Sequence, residues 1–196
     1  MEQGKIIIGI AGEMASGKDT VTDYIVEKYG GREFGFSDSL RDMLDRLHLA
    51  KDRDHLTRLS MALRNEFGQD LLAKIIDGDA KSAPEKIAVI DGVRRPMDIV
   101  ILRKNPEFSL IYVDADFQIR YERIKGRGQN SDDSTKTIED FKKDHLLETE
   151  VTIPALRDGA DFIVNNDKTL EELHAQVDSI MEQLMRKSDG SAEHGN

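Results

Sequence analysis

The stretch "KIIIGIAGEMASGKDTV", residues 5–21, narrows the possible folds more than any other part of the chain. Lys5–Ile10 is a β-branched run ended by glycine, the pattern of a strand buried on both faces. Gly12–Lys18 then reads G-x-x-x-x-G-K. Behind it Val21, Tyr24, Ile25 and Tyr29 recur at helical spacing until Gly30-Gly31 stops them. Strand, glycine-rich turn and helix, in that order, are what this pattern needs to hold a phosphate. The glycines let backbone N–H groups turn inward, and the helix N-terminus favours an anion. Gly12, Ala15, Ser16, Gly17, Lys18, Asp19 and Thr20 are therefore the expected phosphate contacts, with Lys18 reaching the β- and γ-phosphates.

Asp19 stands where the pattern usually places a hydroxyl for Mg²⁺. It either reaches the metal through water, faces the acceptor side, or is a helix-start carboxylate favoured by the dipole. The Thr20 hydroxyl beside it can bond a phosphate oxygen.

Downstream, apolar runs alternate with helical patterns. Strands are expected at Arg32–Phe36, over "KIAVIDG" (86–92), at Phe108–Val113 and at Phe162–Val164. Between them fall helices carrying Leu40, Met43, Leu44 and Leu47, then Leu56, Leu59, Leu63 and Phe67, then Leu71, Leu72, Ile75 and Ile76. Further helices are expected at Met97–Lys104, Phe117–Lys125, Asp140–Glu150 and Thr169–Met185. Gly128–Lys136 has the composition of a loop, and 187–196 that of a disordered tail. The alternation predicts an α/β fold, a parallel sheet with helices on both faces and ligands bound beyond the strands' carboxyl ends.

Bulk properties exclude several classes. The chain has 196 residues, a size for one domain, and no cysteine, so thiolate metal sites and cysteine nucleophiles are ruled out. Its formal charge of −10 argues against a surface that grips nucleic acid, and no apolar run approaches a membrane span. A cytoplasmic protein is the expectation, with no nucleic-acid or membrane partner. His48, His55 and His145 lack metal-ligand spacing and read as surface or helix-packing residues; Phe34, Phe36, Phe67, Tyr112 and Phe162 read as core.

With these motifs in place, the chain resembles the nucleoside monophosphate kinase superfamily, adenylate kinase-like and phage deoxynucleoside monophosphate kinase-like enzymes included. Gly17–Thr20 is similar to the phage enzymes' phosphate loop, and "FSDSLRDML" to the start of the acceptor-binding helix, which implies that Arg41 binds the acceptor phosphate. "VIDGVRRP" resembles the strand end carrying a Walker-B-like carboxylate, here Asp91, which would hold Mg²⁺ through water. Arg95, or Arg94 beside it, would be a phosphate-binding arginine. "RYERIKGRG" resembles the lid of these kinases and implies Arg123 and Arg127 over the transferring phosphate. The resemblance implies a P-loop NTPase three-layer αβα core over 1–186, an acceptor-binding helical insertion at 37–80 and an arginine-bearing lid at 123–150.

Phosphoryl transfer needs alignment and cancellation of negative charge more than covalent help, and arginine's planar fork suits both. Each of these arginines also admits a reading as a solvated or ion-paired surface residue. No glutamate follows Asp91, which favours transfer over hydrolysis, and "NNDK" at 165–168 lacks the order of a guanine-reading motif, so ATP is the expected donor. The backbone there is expected near the adenine. Three functions stay open: a nucleoside or deoxynucleoside monophosphate kinase, a dephospho-CoA kinase, whose family the chain also resembles, and a nucleotide-binding regulatory protein.

Overall fold

The computed structural model describes residues 4–127, 136–147 and 150–191. Its sheet has strands β1 (Ile6–Ala11), β2 (Arg32–Gly35), β3 (Ile87–Asp91), β4 (Phe108–Asp114) and β5 (Phe162–Asn165). Their order is β2-β3-β1-β4-β5 and every pairing is parallel. Placing β1 in the middle explains its unbroken apolar sequence. All six of its residues are buried, because neighbours flank both edges and helices cover both faces.

The helices are α1 (Lys18–Tyr29), α2 (Asp38–Arg46), α3 (Arg53–Phe67), α4 (Leu71–Ser82), α5 (Pro96–Leu102), α6 (Phe117–Arg127), α7 (Ile138–Asp144) and α8 (Leu170–Ser191), with a 3₁₀ turn at Pro154–Gly159. Side chains alternate along β1, so Ile6, Ile8 and Ile10 meet Val21 and Ile25 of α1 and Leu173, Val177 and Met181 of α8. Ile7, on the opposite face, joins Ile76 and Ala80 of α4, Ile99 and Leu102 of α5, and Ile153 and Leu156. Two cores separated by the sheet make the three layers expected from the sequence.

Register brings the carboxyl ends of the strands to one edge. Gly35 pairs with Asp91, Ala11 with Tyr112, and Asp114 with Asn165. The turn after β1, the Asp91 side chain and the segment after β5 therefore share one rim.

Several expected boundaries change. The final helix runs on to Ser191, past the expected start of a disordered tail at 187, because Ser188 is buried and its Oγ donates to the Gly4 carbonyl at 2.6 Å. Leu47, expected on the core face of α2, is 59% exposed, since the helix ends at Arg46 and Leu47 is its cap. Phe67 is 69% exposed instead of core, and Arg64 is the buried residue of α3. α3 turns Arg53, Leu56, Ser60 and Arg64 toward a cavity, and Phe67 is its last residue, off that face. The helix expected at Asp140–Glu150 is α7, which stops at Asp144 with His145 as its cap.

Candidate active site

The turn after β1 has the backbone of an anion cradle. Gly12 has φ +155°, and a Cβ there would stand 2.5 Å from the Val113 carbonyl oxygen. Gly17 has φ +95°, and its Cβ would stand 2.2 Å from Asn166 Nδ2. Both positions require glycine for close approach as well as conformation. Ala15 also takes positive φ, 61°, a cost that non-glycine residues accept mainly at functional turns. Gly17 caps α1 without a side-chain bond, leaving first-turn N–H groups for a ligand. Ser16 Oγ is buried and has no partner among the described residues.

Lys18 Nζ folds back to the Glu13 carbonyl at 3.4 Å. Burial holds its pKa below the ordinary lysine value, and the Asp91 carboxylate opposes that shift. Asp19 and Thr20 are exposed in the same turn. Asp19 is near enough to Lys18 and Asp91 for its charge to act on both.

Asp91 ends β3. Its Oδ1 is buried without a partner among the described residues, and burial raises its pKa. An orphaned buried carboxylate oxygen next to a lysine fits a Mg²⁺ site whose other ligands are phosphate oxygens and water. Among the described residues, no cluster of three or more His, Asp or Glu side chains could hold a metal unaided.

A cavity of about 300 Å³ opens beside Asp91. Arg94 and Arg95, from the turn before α5, line it together with Arg53 and Arg64 of α3. Arg94 pairs with Glu150 through Nη1 and Oε1. Arg64 is buried with Asp98 at 3.5 Å, and burial raises the Asp98 pKa while that guanidinium opposes it. Phe36, Leu40, Leu56, Met61 and Leu72 supply the apolar part of the wall, with Thr57 and Ser60 as hydroxyls.

The structure separates Arg41 from this cavity. Leu40 and Leu44 turn inward on α2, so Arg41, one position on, projects from the exposed side. Arg53 and Arg64 of α3 line the cavity where Arg41 does not. In the sequence they stand out as positive charge within the expected insertion at 37–80, along with Arg41, Arg46 and Arg58, which does not tell which of these arginines reach a cavity.

Arg123 and Arg127 are expected over the transferring phosphate. Arg123 Nη2 donates to the Asn166 carbonyl at 2.7 Å and to Asn166 Oδ1 at 3.3 Å, and Nη1 donates to the Ser16 carbonyl at 3.4 Å. It braces the loop from behind, and its desolvation lowers its pKa. Arg127 closes α6; its side chain lies outside the described residues, as do 128–135 of the expected lid loop.

Arg120 escaped the sequence reading, and Asn166 was expected only to lend its backbone near the adenine. Arg120 pairs with Glu13 at 3.0 Å and donates to His145 Nε2 at 2.7 Å and to the Met14 carbonyl at 3.4 Å. His145 Nδ1 donates to the Phe141 carbonyl at 2.7 Å, which leaves Nε2 as the acceptor. Asn166 Nδ2 donates to the Ser16 carbonyl at 2.7 Å, tying the segment after β5 to the phosphate loop.

Comparison with known proteins agrees with this geometry. A family model described as AAA domain (AAA_18) matches residues 8–146, from the first strand through the site to α7. The chain belongs to this family. A UPF0200 protein of Thermococcus gammatolerans is 30% identical over 186 residues, covering 92% of this chain and 96% of the relative. Another, from Methanoculleus marisnigri, is 29% identical over 176 residues, covering 89% and 94%. Among solved structures, a shikimate kinase from Bacteroides thetaiotaomicron superposes with TM-score 0.59 at 14% identity, covering 91% of this chain and 98% of that one. A gluconokinase from Sinorhizobium meliloti gives 0.58 at 12% identity, covering both chains fully at 100%. At such identity the likeness speaks for the fold alone: a P-loop kinase-like α/β fold. No helix among the described residues is long and apolar enough to cross a membrane.

Proposed function

We propose that this protein is an ATP-dependent phosphotransferase that moves the γ-phosphate of Mg-ATP onto a nucleoside or deoxynucleoside monophosphate. One observation carries the reading. Arg53, Arg94 and Arg95 line a cavity that reaches Asp91, in whose field Lys18 lies. Guanidinium groups on one wall and apolar side chains on another suit a molecule with an anionic end and a flat, weakly polar body. A hydroxyl acceptor would need a carboxylate free to take its proton. Of the two carboxylates that line the cavity, Asp98 is buried and paired with Arg64, and Asp91 is the one this reading gives to Mg²⁺.

In the reaction an oxygen of the acceptor phosphate attacks Pγ and the bond from Pγ to the β,γ-bridging oxygen breaks. ADP and a nucleoside diphosphate leave, and no proton need move. Backbone N–H groups of 12–18 bind the donor phosphates, Lys18 offsets charge on the β- and γ-phosphates, and Arg94 and Arg95 hold the acceptor. Asp91, with Asp19 through water, would hold Mg²⁺. When bound, that ion offsets charge on the donor oxygens. Arg123 keeps the loop in shape. The reading calls on no nucleic acid and no membrane, and it places the protein in the cytoplasm with its nucleotides.

The test is incubation with Mg-ATP and a panel of nucleoside and deoxynucleoside monophosphates plus dephospho-CoA, with products separated by chromatography. Conversion of monophosphates to diphosphates is expected. Conversion of dephospho-CoA alone would replace the acceptor. ATP binding without any product would replace the enzyme with a nucleotide-responsive protein. Lys18→Ala is expected to lower transfer at least about 10²-fold, the scale of losing one preorganised charge-stabilising group, with an unchanged far-UV spectrum. Activity within a few-fold of wild type would remove the loop from the mechanism.

A further inference from the structure

Arg94 sits in a connection that gives its side chain no direction of its own. It follows Gly92, at φ +79°, and buried Val93, and it precedes the first residues of α5. A long guanidinium side chain, 44% exposed and released from any helix or strand, would have to be ordered each time an acceptor bound. Here it is already held, and from far along the chain. Glu150, 8% exposed, receives Arg94 Nη1, and Thr152 Oγ1 donates to the Arg94 carbonyl at 2.7 Å.

The holding segment is itself fixed. Glu150 N donates to the Leu147 carbonyl at 2.9 Å, Ile153 N donates to the Glu150 carbonyl at 3.0 Å, and Ile153 and Leu156 are buried in the core beside α5. Arg94 is a wall residue of the cavity, whereas its partner lies in the interior. The charge of Glu150 also reaches Lys18, so the clamp stands close to the transfer centre. A buried carboxylate with a guanidinium partner stays paired, because leaving would strand its charge. Binding of an anionic acceptor must therefore use the remaining N–H groups of Arg94.

We propose that Glu150 and Thr152 form a two-point clamp on Arg94, backbone and side chain together, that sets its guanidinium toward the acceptor and makes both of them positioning residues for acceptor binding. This rests on the phosphotransferase reading for what Arg94 binds, but not for whether Arg94 is held. The clamp also links the segment that follows α7 to the acceptor wall.

The test uses Glu150→Gln, which keeps shape and removes charge, and Thr152→Val, which removes only the hydroxyl bond. With Mg-ATP and the best acceptor of the panel, Glu150→Gln is expected to raise the acceptor KM about tenfold, the upper end of what re-ordering one side chain costs, and Thr152→Val about threefold. The KM for ATP and the kcat at saturating acceptor should stay within twofold. Equal rises in both KM values, or no change in either variant, would overturn the clamp. A second arm needs no activity: the Arg94 Nε–Hε NMR signal of the ligand-free protein, assigned by its loss in Arg94→Lys. It should be as ordered as the backbone in wild type and averaged in Glu150→Gln. The same order in both proteins would overturn the clamp. If wild type transfers phosphate to nothing on the panel, the kinase reading fails and the NMR arm still decides the clamp.

Discussion

Asp91 and Gly17 show how much a single position can settle. Burial raises the Asp91 pKa, so the folded protein holds that proton more tightly than the unfolded chain does. Its contribution to stability is therefore full below the ordinary carboxylate range, near about pH 4, and is lost as pH rises through the raised value. Asp91→Asn is expected to melt above wild type at neutral pH without ligand, and the difference should close as pH falls. Melting curves recorded across pH would show it, and a constant offset would refute the assignment. Gly17→Ala meets both a left-handed backbone and Asn166 Nδ2 at 2.2 Å. It is expected to lose more than about 1 kcal/mol of stability and most ATP affinity, measured by denaturation and calorimetry. The glycines and Lys18 were legible from spacing, since their chemistry is local. Asn166 and Arg120 were not, because each acts on a loop far away in sequence, Asn166 at a separation of 150 residues and Arg120 at 106.

Elements follow sequence where one face is apolar and the other polar, and depart from it where a helix covers something other than the core. Leu44 and Leu47 have the same chemistry on α2, yet Leu44 is 2% exposed and Leu47 lies past the helix end. Leu44→Ala is expected to cost about 2–5 kcal/mol in urea denaturation, and Leu47→Ala under about 0.5 kcal/mol. Equal costs would contradict the helix end at Arg46. On α3 the apolar repeat Leu56, Leu59, Leu63 and Phe67 has a core-facing period, but of these four Leu56 alone lines the cavity and Phe67 is 69% exposed. Periodicity reports which side is covered and not by what. The resemblance implies an acceptor role for Arg41 on α2, and only the packing of Leu40 and Leu44 shows that Arg41 projects outward.

For the whole molecule, chain ends and connections decide what local patterns leave open. The polar composition of 187–196 reads as disorder, yet α8 continues to Ser191 because Ser188 is tied to Gly4 across the fold. Truncation after Arg186 is expected to lower Tm more than truncation after Ser191. The gap should be about 2–4 °C for each kcal/mol lost, read by calorimetry. Identical melting would mean that the last turns of α8 contribute nothing. By itself the sequence determined the alternation of strands and helices, the parallel sheet, the phosphate loop and the carboxylate at the end of β3. These rest on periodicity, turn residues and short spacings, all local in the chain. The tertiary structure alone decided that Arg41 turns away from the cavity that Arg53 and Arg64 line, what holds Arg94 and where the last helix ends. Each of those depends on residues brought together across tens to nearly two hundred positions, and a guanidinium's direction is set by the partner it meets there, not by its neighbours in sequence.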